Sequence, residues 1–280
     1  MRRRRPEFKS RGVVAAAALF FASLVFWAGP VRAGQTQPPL PGEKLDGPRE
    51  GTYLYRFMML QAGPGRLADL IELFRNRAPV IVAGGDEKPY IVRHSQGDHW
   101  DILVIQPYGS MSDYYSRERI AKRDAAAAAA GLPSDEFARL LKEMLLWHED
   151  LYVLGPPVGV FREFVKEAGL AHFEMIRSLP GKFDALVEER RMENAFNRER
   201  GRGQTLIFTR DQGADWDVVT LGVYRNWRQY AESELISREV SEAAARKAGF
   251  ADAGSVGNYM RTLMSTHRDT LGPPVILADR

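Results

Sequence analysis

The chain contains an internal repeat, and this feature restricts its fold more than any other. An ungapped alignment of residues 53–76 with residues 169–192 gives eight identities in 24 positions, at an offset of 116. Further along, the segment Leu-Gly-Pro-Pro-Val occurs at 154–158 and again at 271–275. Ordered matches with so little drift in the offset indicate two copies of one structural unit.

Each copy shows the same order of predicted elements. In the first copy, apolar side chains alternate along residues 53–61, which is the period of a strand. A Gly-Pro-Gly turn at 63–65 precedes apolar residues spaced three and four positions apart between 67 and 74, which indicates a helix. A hairpin and further helices follow. We predict two α+β modules, at 52–158 and 168–275, each too small to cover both faces of its own sheet.

The N-terminal region has the three parts of an export signal. A polybasic start is followed by an apolar run at 13–27 and by Val-Arg-Ala before Gly34. We predict a signal peptide at 1–33 and a periplasmic or secreted protein. The alternative is an uncleaved inner-membrane anchor at 12–31 with the remainder facing the periplasm. Eight prolines and glycines within 34–51 predict a linker.

Charge and cysteine content exclude several classes of function. The formal net charge of +3 comes from the leader, because residues 1–33 carry seven basic side chains and one acidic one. The other 247 residues carry 32 basic and 35 acidic side chains, so a nucleic-acid partner is not predicted. The absence of cysteine excludes disulfides, thiolate metal sites and iron–sulfur clusters. Motifs of dinucleotide-binding, phosphate-binding, serine-hydrolase and zinc-protease sites are also missing.

The two Pro-Gly turns carry a family resemblance. Pro64-Gly65-Arg66 and Pro180-Gly181-Lys182 each follow a predicted strand and precede an amphipathic helix and a hairpin. This arrangement resembles the dimeric α/β-barrel superfamily, and within it NIPSNAP-like and antibiotic-biosynthesis-monooxygenase-like proteins. The resemblance implies two tandem ferredoxin-like modules, packed sheet to sheet as an intramolecular α/β barrel, in a monomer or homodimer. It also implies a range of functions that includes cofactor-free oxygenases, small-molecule isomerases, haem enzymes and proteins without known activity.

Two histidines occupy matching places in the copies. The apolar stripe of the last predicted helix, continued by 11 positions, reaches His148 in the first copy and His267 in the second. On the apolar side of a helix near its C-terminus, these imidazoles are candidates for general bases or ligands in a dry cavity. The alternative is a structural histidine that is favoured by the helix dipole.

The first strand of each copy supplies a second set of candidates. If Phe57 and Met59 pack under the helices, the opposite face lines the barrel interior. The candidates on that face are Arg56 and Met58 in the first copy, and His172 and Glu174 in the second. An arginine there suits a carboxylate or enolate, and a histidine–glutamate pair suits proton transfer. The alternative is that these side chains reach water or pair with each other.

A tryptophan–aspartate pair begins the third predicted strand of each copy. Trp100 and Trp216 are expected in the core or the seam between sheets, and Asp101 and Asp217 are expected to cap the preceding turn. Alternatively, the indoles stack on a planar ligand and the carboxylates orient a base. We predict no metal site and no cofactor, with haem as the less favoured alternative.

Together these features predict an exported small-molecule-binding protein whose pocket lies between the two sheets. Two alternatives remain. One is a cofactor-independent enzyme of monooxygenase or isomerase type, acting on a small enolisable or phenolic substrate. The other is a membrane-tethered interaction module. An apolar cavity with a histidine and an arginine or glutamate around a shared point would favour the enzyme.

Overall fold

The structure is a computed structural model, and it describes residues 47–277. The predicted signal peptide, the alternative anchor and residues 34–46 of the predicted linker lie outside the described residues. Among the described residues, no helix combines the length and the apolar character needed to cross a membrane.

The element order of the first half recurs in the second. The first half contains β1 (Tyr53–Ala62), α1 (Leu67–Ala83), β2 (Tyr90–Arg93), β3 (Ile102–Gly109), α2 (Met111–Tyr114), α3 (Arg117–Ala129), α4 (Ser134–Met144) and β4 (Leu145–Gly155). Helix α5 (Val158–Val165) connects the halves. The second half contains β5 (Leu170–Ser178), α6 (Phe183–Glu199), β6 (Leu206–Gly213), β7 (Val218–Tyr224), α7 (Trp227–Ala231), a short 3-10 helix (Glu232–Leu235), α8 (Arg238–Lys247), α9 (Ser255–Arg261) and β8 (Met264–Gly272).

All eight strands belong to one antiparallel sheet in the order β2-β3-β1-β4-β6-β7-β5-β8. The halves join where β4 pairs with β6. The two outer edges of the sheet also bond to each other through residues at the strand ends. The backbone N–H of Arg93 in β2 donates to the carbonyl of Pro273, just after β8 (3.0 Å), and the N–H of Ser95, just after β2, donates to the carbonyl of Leu271 in β8 (2.9 Å). The sheet therefore closes into a barrel.

The barrel interior is filled by large apolar side chains from both halves. Tyr55 and Phe57 of β1 meet Phe208 of β6, with ring centroids 5.3 and 5.0 Å apart. Phe173 of β5 is completely buried in the same cluster, and Phe161 of α5 packs against it from the connecting helix. The prediction of a ligand pocket between the two sheets is therefore wrong for the described residues, because apolar side chains fill that space.

The predicted facing of the first strands is also reversed. Phe57 and Met59 point into the barrel and not under the helices. The opposite faces point outward to the helix layers, and they carry Arg56 and Met58 in β1, and His172 and Glu174 in β5. Closing the barrel requires bulky apolar side chains on its inner face, whereas the outer layer offers charged partners to the polar side chains.

The helices cover the outside of the barrel in two separate layers. Buried Leu70 and Phe74 of α1 pack with Phe137 and Leu141 of α4 over the sheet of the first half. In the second half α6 and α9 occupy this position, and the buried residues there include Leu186 and Met260. Each half therefore has its own space between sheet and helices.

The two predicted helical histidines lie in strands. Helix α4 ends at Met144 and β4 begins at the next residue, so His148 is a strand residue, and His267 lies likewise in β8. In the ladder, His148 is opposite Leu60 and His267 is opposite Ile176, which are 116 positions apart. The two imidazoles are therefore equivalent in position, although their secondary structure was predicted incorrectly.

The repeated Leu-Gly-Pro-Pro-Val segment does not keep this register. Gly155 is opposite Tyr53, whereas Gly272 is opposite Ala171, which corresponds to Tyr55 at the offset of 116. The second copy is thus displaced by two residues along its neighbouring strand. The C-terminal part of β6 extends beyond its pairing with β7 and pairs with β4 instead.

Candidate functional site

A histidine, an aspartate and an arginine meet on the outer face of the first half. The β4 residues His148 and Asp150 are two positions apart and share one face of the strand. The Arg56 Nε donates to Asp150 Oδ1 at 3.0 Å, and His148 Nδ1 lies 3.5 Å from Asp150 Oδ2. One carboxylate therefore orients both a guanidinium and an imidazole.

This group stands beside a cavity between the sheet and helices α1 and α4. The cavity has two adjoining lobes of about 560 and 490 Å³, which share Arg56, Met58, Ala138 and Leu141 as lining residues. The outer lobe includes His148, whose side chain is 60% exposed. The inner lobe is lined by apolar and aromatic residues, such as Phe74, Val104, Tyr108, Tyr114 and Phe137, and also by charged ones, which include Arg77, Asp86, Arg123 and Asp124. Such a cavity suits a small, flat, largely apolar molecule.

The polar groups at the inner lobe hold fixed protonation states. Burial opposes the charge of Arg56, but the Asp150 carboxylate and the Tyr108 phenol outweigh this effect and raise its pKa. Burial raises the pKa of Tyr108, so that phenol stays protonated and can donate. Tyr114 stacks on Tyr108 with centroids 3.5 Å apart, and the Arg123 guanidinium lies 4.1 Å from the Tyr114 ring centre. The wall is thus rigid and aromatic.

The second half repeats this arrangement with different residues. His172 Nε2 lies 3.0 Å from Asp269 Oδ1. The distance between Arg56 Nε and Asp150 Oδ1 in the first half is the same. His267 Nδ1 lies 3.4 Å from Asp269 Oδ2, close to the separation in the first half. The structure therefore brings three of the predicted site residues, His172, Glu174 and His267, into one cluster.

The corresponding space in the second half is filled by buried charge. Where the first half has Met58 and Phe74, the second has Glu174 and Arg190 at the offset of 116. The Arg190 side chain is 2% exposed; its Nη1 lies 3.1 Å from Glu174, and its Nη2 lies 2.6 Å from Glu189 and 2.5 Å from Glu193. Shared ion pairs thus replace the apolar lining of the first half.

The burial of this network changes its proton affinities. Burial opposes ionisation of Glu174, but His267, Arg190 and His172 outweigh it and lower its pKa. Burial also opposes the charge of His172, yet Asp269 and Glu174 raise its pKa, and Glu174 raises that of His267. Burial raises the pKa of Glu193, and it raises that of Glu189 to about 7 despite the neighbouring Arg190.

The raised pKa of Glu189 leads to a pH-dependent prediction. The unfolded chain releases this proton near pH 4.5, but the folded chain keeps it until about 7. Stability is therefore lost as the pH rises through this window. Glutamine mimics the protonated acid, so Glu189→Gln should be more stable than the wild type at pH 8, on the order of 2 kcal/mol, and about equal at pH 5. Urea unfolding at both pH values measures this, and a difference independent of pH would contradict it.

The tryptophan–aspartate pairs lie away from the cavity. Trp100 and Trp216 are buried in the barrel cluster. Asp101 accepts from the backbone N–H of Ala62 at 2.7 Å, and Asp217 from that of Ser178 at 2.8 Å, so each fixes the end of the first strand of its half. Neither indole nor carboxylate lines the two lobes.

Three residues that shape these clusters, Asp150, Asp269 and Arg190, were not among the residues predicted from the sequence. A signal for the aspartates was present, because His-x-Asp occurs at 148–150 and at 267–269. With strand spacing both residues of this pattern lie on one face. Arg190 offered no such signal, since charged residues surround it in the sequence of α6.

Comparison with known proteins identifies solved structures with a similar fold. No protein-family model matches the chain, and no curated protein is detectably similar in sequence. Among solved structures, an anthrone oxidase-like protein matches with a TM-score of 0.52 and 12% identity, over 81% of this chain and 93% of its own. A Fusobacterium nucleatum protein described as a monooxygenase matches at 0.49 and 8%, over 82% and 95%.

A haem-binding protein from Thermus thermophilus matches at a TM-score of 0.44 and 10% identity, over 81% of this chain and 92% of its own. At these identities the comparisons establish architecture alone, and of the three only the anthrone oxidase-like protein exceeds a TM-score of 0.5. Its α+β architecture agrees with the eight-stranded antiparallel sheet and outer helices described above. This chain therefore shares the fold of the anthrone oxidase-like protein, an antiparallel sheet covered by helices.

Proposed function

We propose that the chain is an enzyme that removes a proton from a small, flat, enolisable or phenolic substrate in the cavity of the first half. The observation that carries this proposal is the meeting of Arg56, His148 and Asp150 at the edge of an apolar cavity. This differs from the binder favoured by the sequence, because a base and a cation now converge on one carboxylate. We also propose that the chain is a tandem duplication and is exported, as its repeat and leader indicate.

The roles follow from position and charge. His148 accepts the substrate proton, because its imidazole is open to the cavity mouth and Asp150 stabilises the resulting cation. Arg56 faces both lobes and keeps its charge, so it stabilises the oxyanion of the enolate or phenolate. The aromatic wall around Tyr108 and Tyr114 holds the ring of the substrate. Return of the proton to another carbon gives an isomerase, and reaction of the carbanion with O2 gives an oxygenase.

We propose that this chemistry needs no haem. The second half has no room for a macrocycle beside β5, since Glu174, Glu189 and Arg190 occupy that space. In the first half, the apolar walls of the inner lobe carry Met58 but no imidazole, and His148 lies on the solvent side. An axial imidazole on an apolar wall is thus missing among the described residues. A haem titration that leaves the Soret band of free haem unshifted is expected.

Anthrone is a suitable probe, because it is flat and its enol form is a phenol; the description of one protein of the same fold also names anthrone oxidation. Loss of a C10 proton gives the anthranolate, and reaction of anthrone with one O2 gives anthraquinone and one water. Fluorescence measures binding and formation of the anion, and an oxygen electrode measures O2 consumption.

His148→Gln should lower kcat for proton removal by about 100-fold or more and leave KM nearly unchanged, because the base is lost and the walls remain. The matched control is His99→Gln, an exposed histidine that does not line the two lobes. A rate for His148→Gln equal to that of the wild type would refute the proposed base. Binding without any turnover would support the small-molecule-binding alternative.

A further inference from the structure

Four potential ligands gather on the outer face of the second half. His172 and Glu174 lie on β5, and His267 and Asp269 on the adjacent β8, at alternate positions that share one face. One oxygen of Glu174, one of Asp269 and one ring nitrogen of His267 all lie within 4.8 Å of one another. A tetrahedral cation about 2.1 Å from each ligand would hold the ligand atoms about 3.4 Å apart, so each pair has to close by at most about 1.4 Å.

Two of these atoms, Glu174 Oε1 and His267 Nε2, face each other without a hydrogen bond. Glu174 Oε2 accepts from Arg190 Nη1 (3.1 Å) and from Thr220 Oγ1 (2.7 Å), which leaves Oε1 directed at His267. His267 Nε2 lies 3.5 Å from Oε1 and is a buried atom without a hydrogen bond. Buried polar atoms are nearly always satisfied, so this unpaired nitrogen indicates a partner that is supplied from outside the chain.

The nearby guanidinium does not bond to every carboxylate of this group. Arg190 is shared by three carboxylates, those of Glu174, Glu189 and Glu193, and none of its close contacts is to Asp269. Three carboxylates therefore share one guanidinium, whereas the close partners of Asp269 are the imidazoles of His172 and His267. The Asp269 side chain is half exposed, which gives an ion a path from solvent.

We propose that Glu174, His267 and Asp269 bind a divalent first-row transition-metal ion, with His172 beside them as orienting partner of Asp269. Two carboxylates and an imidazole suit zinc, manganese or ferrous iron. The sequence predicted no metal site, and Asp269 was not among its candidate residues. The first half lacks such a set, since Met58 replaces Glu174, so we expect one ion per chain.

The test is calorimetric titration of Zn²⁺ into tag-free, chelator-treated protein. The expected result is one site with a Kd of about 10 µM or tighter. His267→Gln and Asp269→Asn should each weaken binding about tenfold or more. His148→Gln is the matched control, because it removes the equivalent imidazole from the half that lacks the second carboxylate, and it should leave Zn²⁺ binding unchanged. Electron paramagnetic resonance of added Mn²⁺ gives a second readout.

Two results would overturn the proposal. The first is wild-type protein that binds Zn²⁺ only with a Kd weaker than about 1 mM. The second is equal affinity in the wild type, His267→Gln and Asp269→Asn. Asp269→Asn is expected to fold like the wild type, because the Asp269 side chain is half exposed and asparagine has nearly the same shape. Circular dichroism verifies that each variant has the wild-type secondary structure.

Discussion

Replacing Arg190 with methionine is expected to lower the free energy of unfolding by about 3–5 kcal/mol at pH 8. Methionine fills a similar volume, but it leaves the carboxylates of Glu174, Glu189 and Glu193 without their shared cation. Removing one partner from a buried ion network is far more costly than removing an exposed pair. Denaturant unfolding followed by circular dichroism measures the loss.

The loss should become smaller at pH 5, because the abandoned carboxylates then take up protons. Arg191→Met is the matched control: this neighbour pairs with Glu50 (2.7 Å) and Glu188 (2.9 Å), but about half of its side chain is exposed. We expect it to cost less than about 1 kcal/mol. Equal losses for the two variants would show that the Arg190 network contributes nothing beyond a surface ion pair.

Gly97→Ala is expected to open the seam between the first half and β8. Gly97 has a φ of +112°, and a Cβ there would lie 1.9 Å from the carbonyl oxygen of Asp269. The backbone must shift to accept the methyl group, in the turn whose residues Ser95 and Gln96 bond to Leu271. We expect Gly97→Ala to lower the free energy of unfolding by about 2–3 kcal/mol more than an alanine that only has to adopt a positive φ.

Gly181→Ala supplies that reference. Gly181 also has a positive φ, +73°, but a Cβ there meets nothing within 4 Å. Gly181→Ala should lower the free energy of unfolding by only about 1–2 kcal/mol, which is the cost of holding alanine in a left-handed backbone conformation. Hydrogen exchange gives a local readout, because the Leu271 amide donates to Gln96 and should exchange faster in Gly97→Ala alone. Similar exchange and stability in both variants would mean that close packing at this seam is unimportant.

The repeat and the strand period allowed much of the architecture to be predicted. Alternation correctly grouped Arg56 with Met58, and His172 with Glu174, but it could not say which face turns inward. Which face turns inward depends on the closure of the sheet, where Tyr55 of the first half packs against Phe208 of the second half. Such a contact, across 153 residues of sequence, leaves no local pattern.

The candidate site was harder to predict because the boundary between α4 and β4 was not recognised in the sequence. Helix α4 passes into β4 without a loop, so the helical spacing appeared to continue to His148. Recognising the strand would have revealed Asp150 through the repeated His-x-Asp pattern. The network around Arg190 could not be inferred in this way, since a charged stretch in a helix is usually solvated and only the packing of α6 on β5 buries it.

The closure of the sheet along its β2 and β8 edges affects how the molecule behaves on dilution. A sheet assembled from separate polypeptides comes apart as concentration falls, because association is governed by mass action. Here the strands that close the barrel belong to one covalent chain, so closure of the sheet is an intramolecular step whose equilibrium does not depend on protein concentration. The backbone groups that would otherwise recruit a foreign strand at an open margin are already engaged with each other.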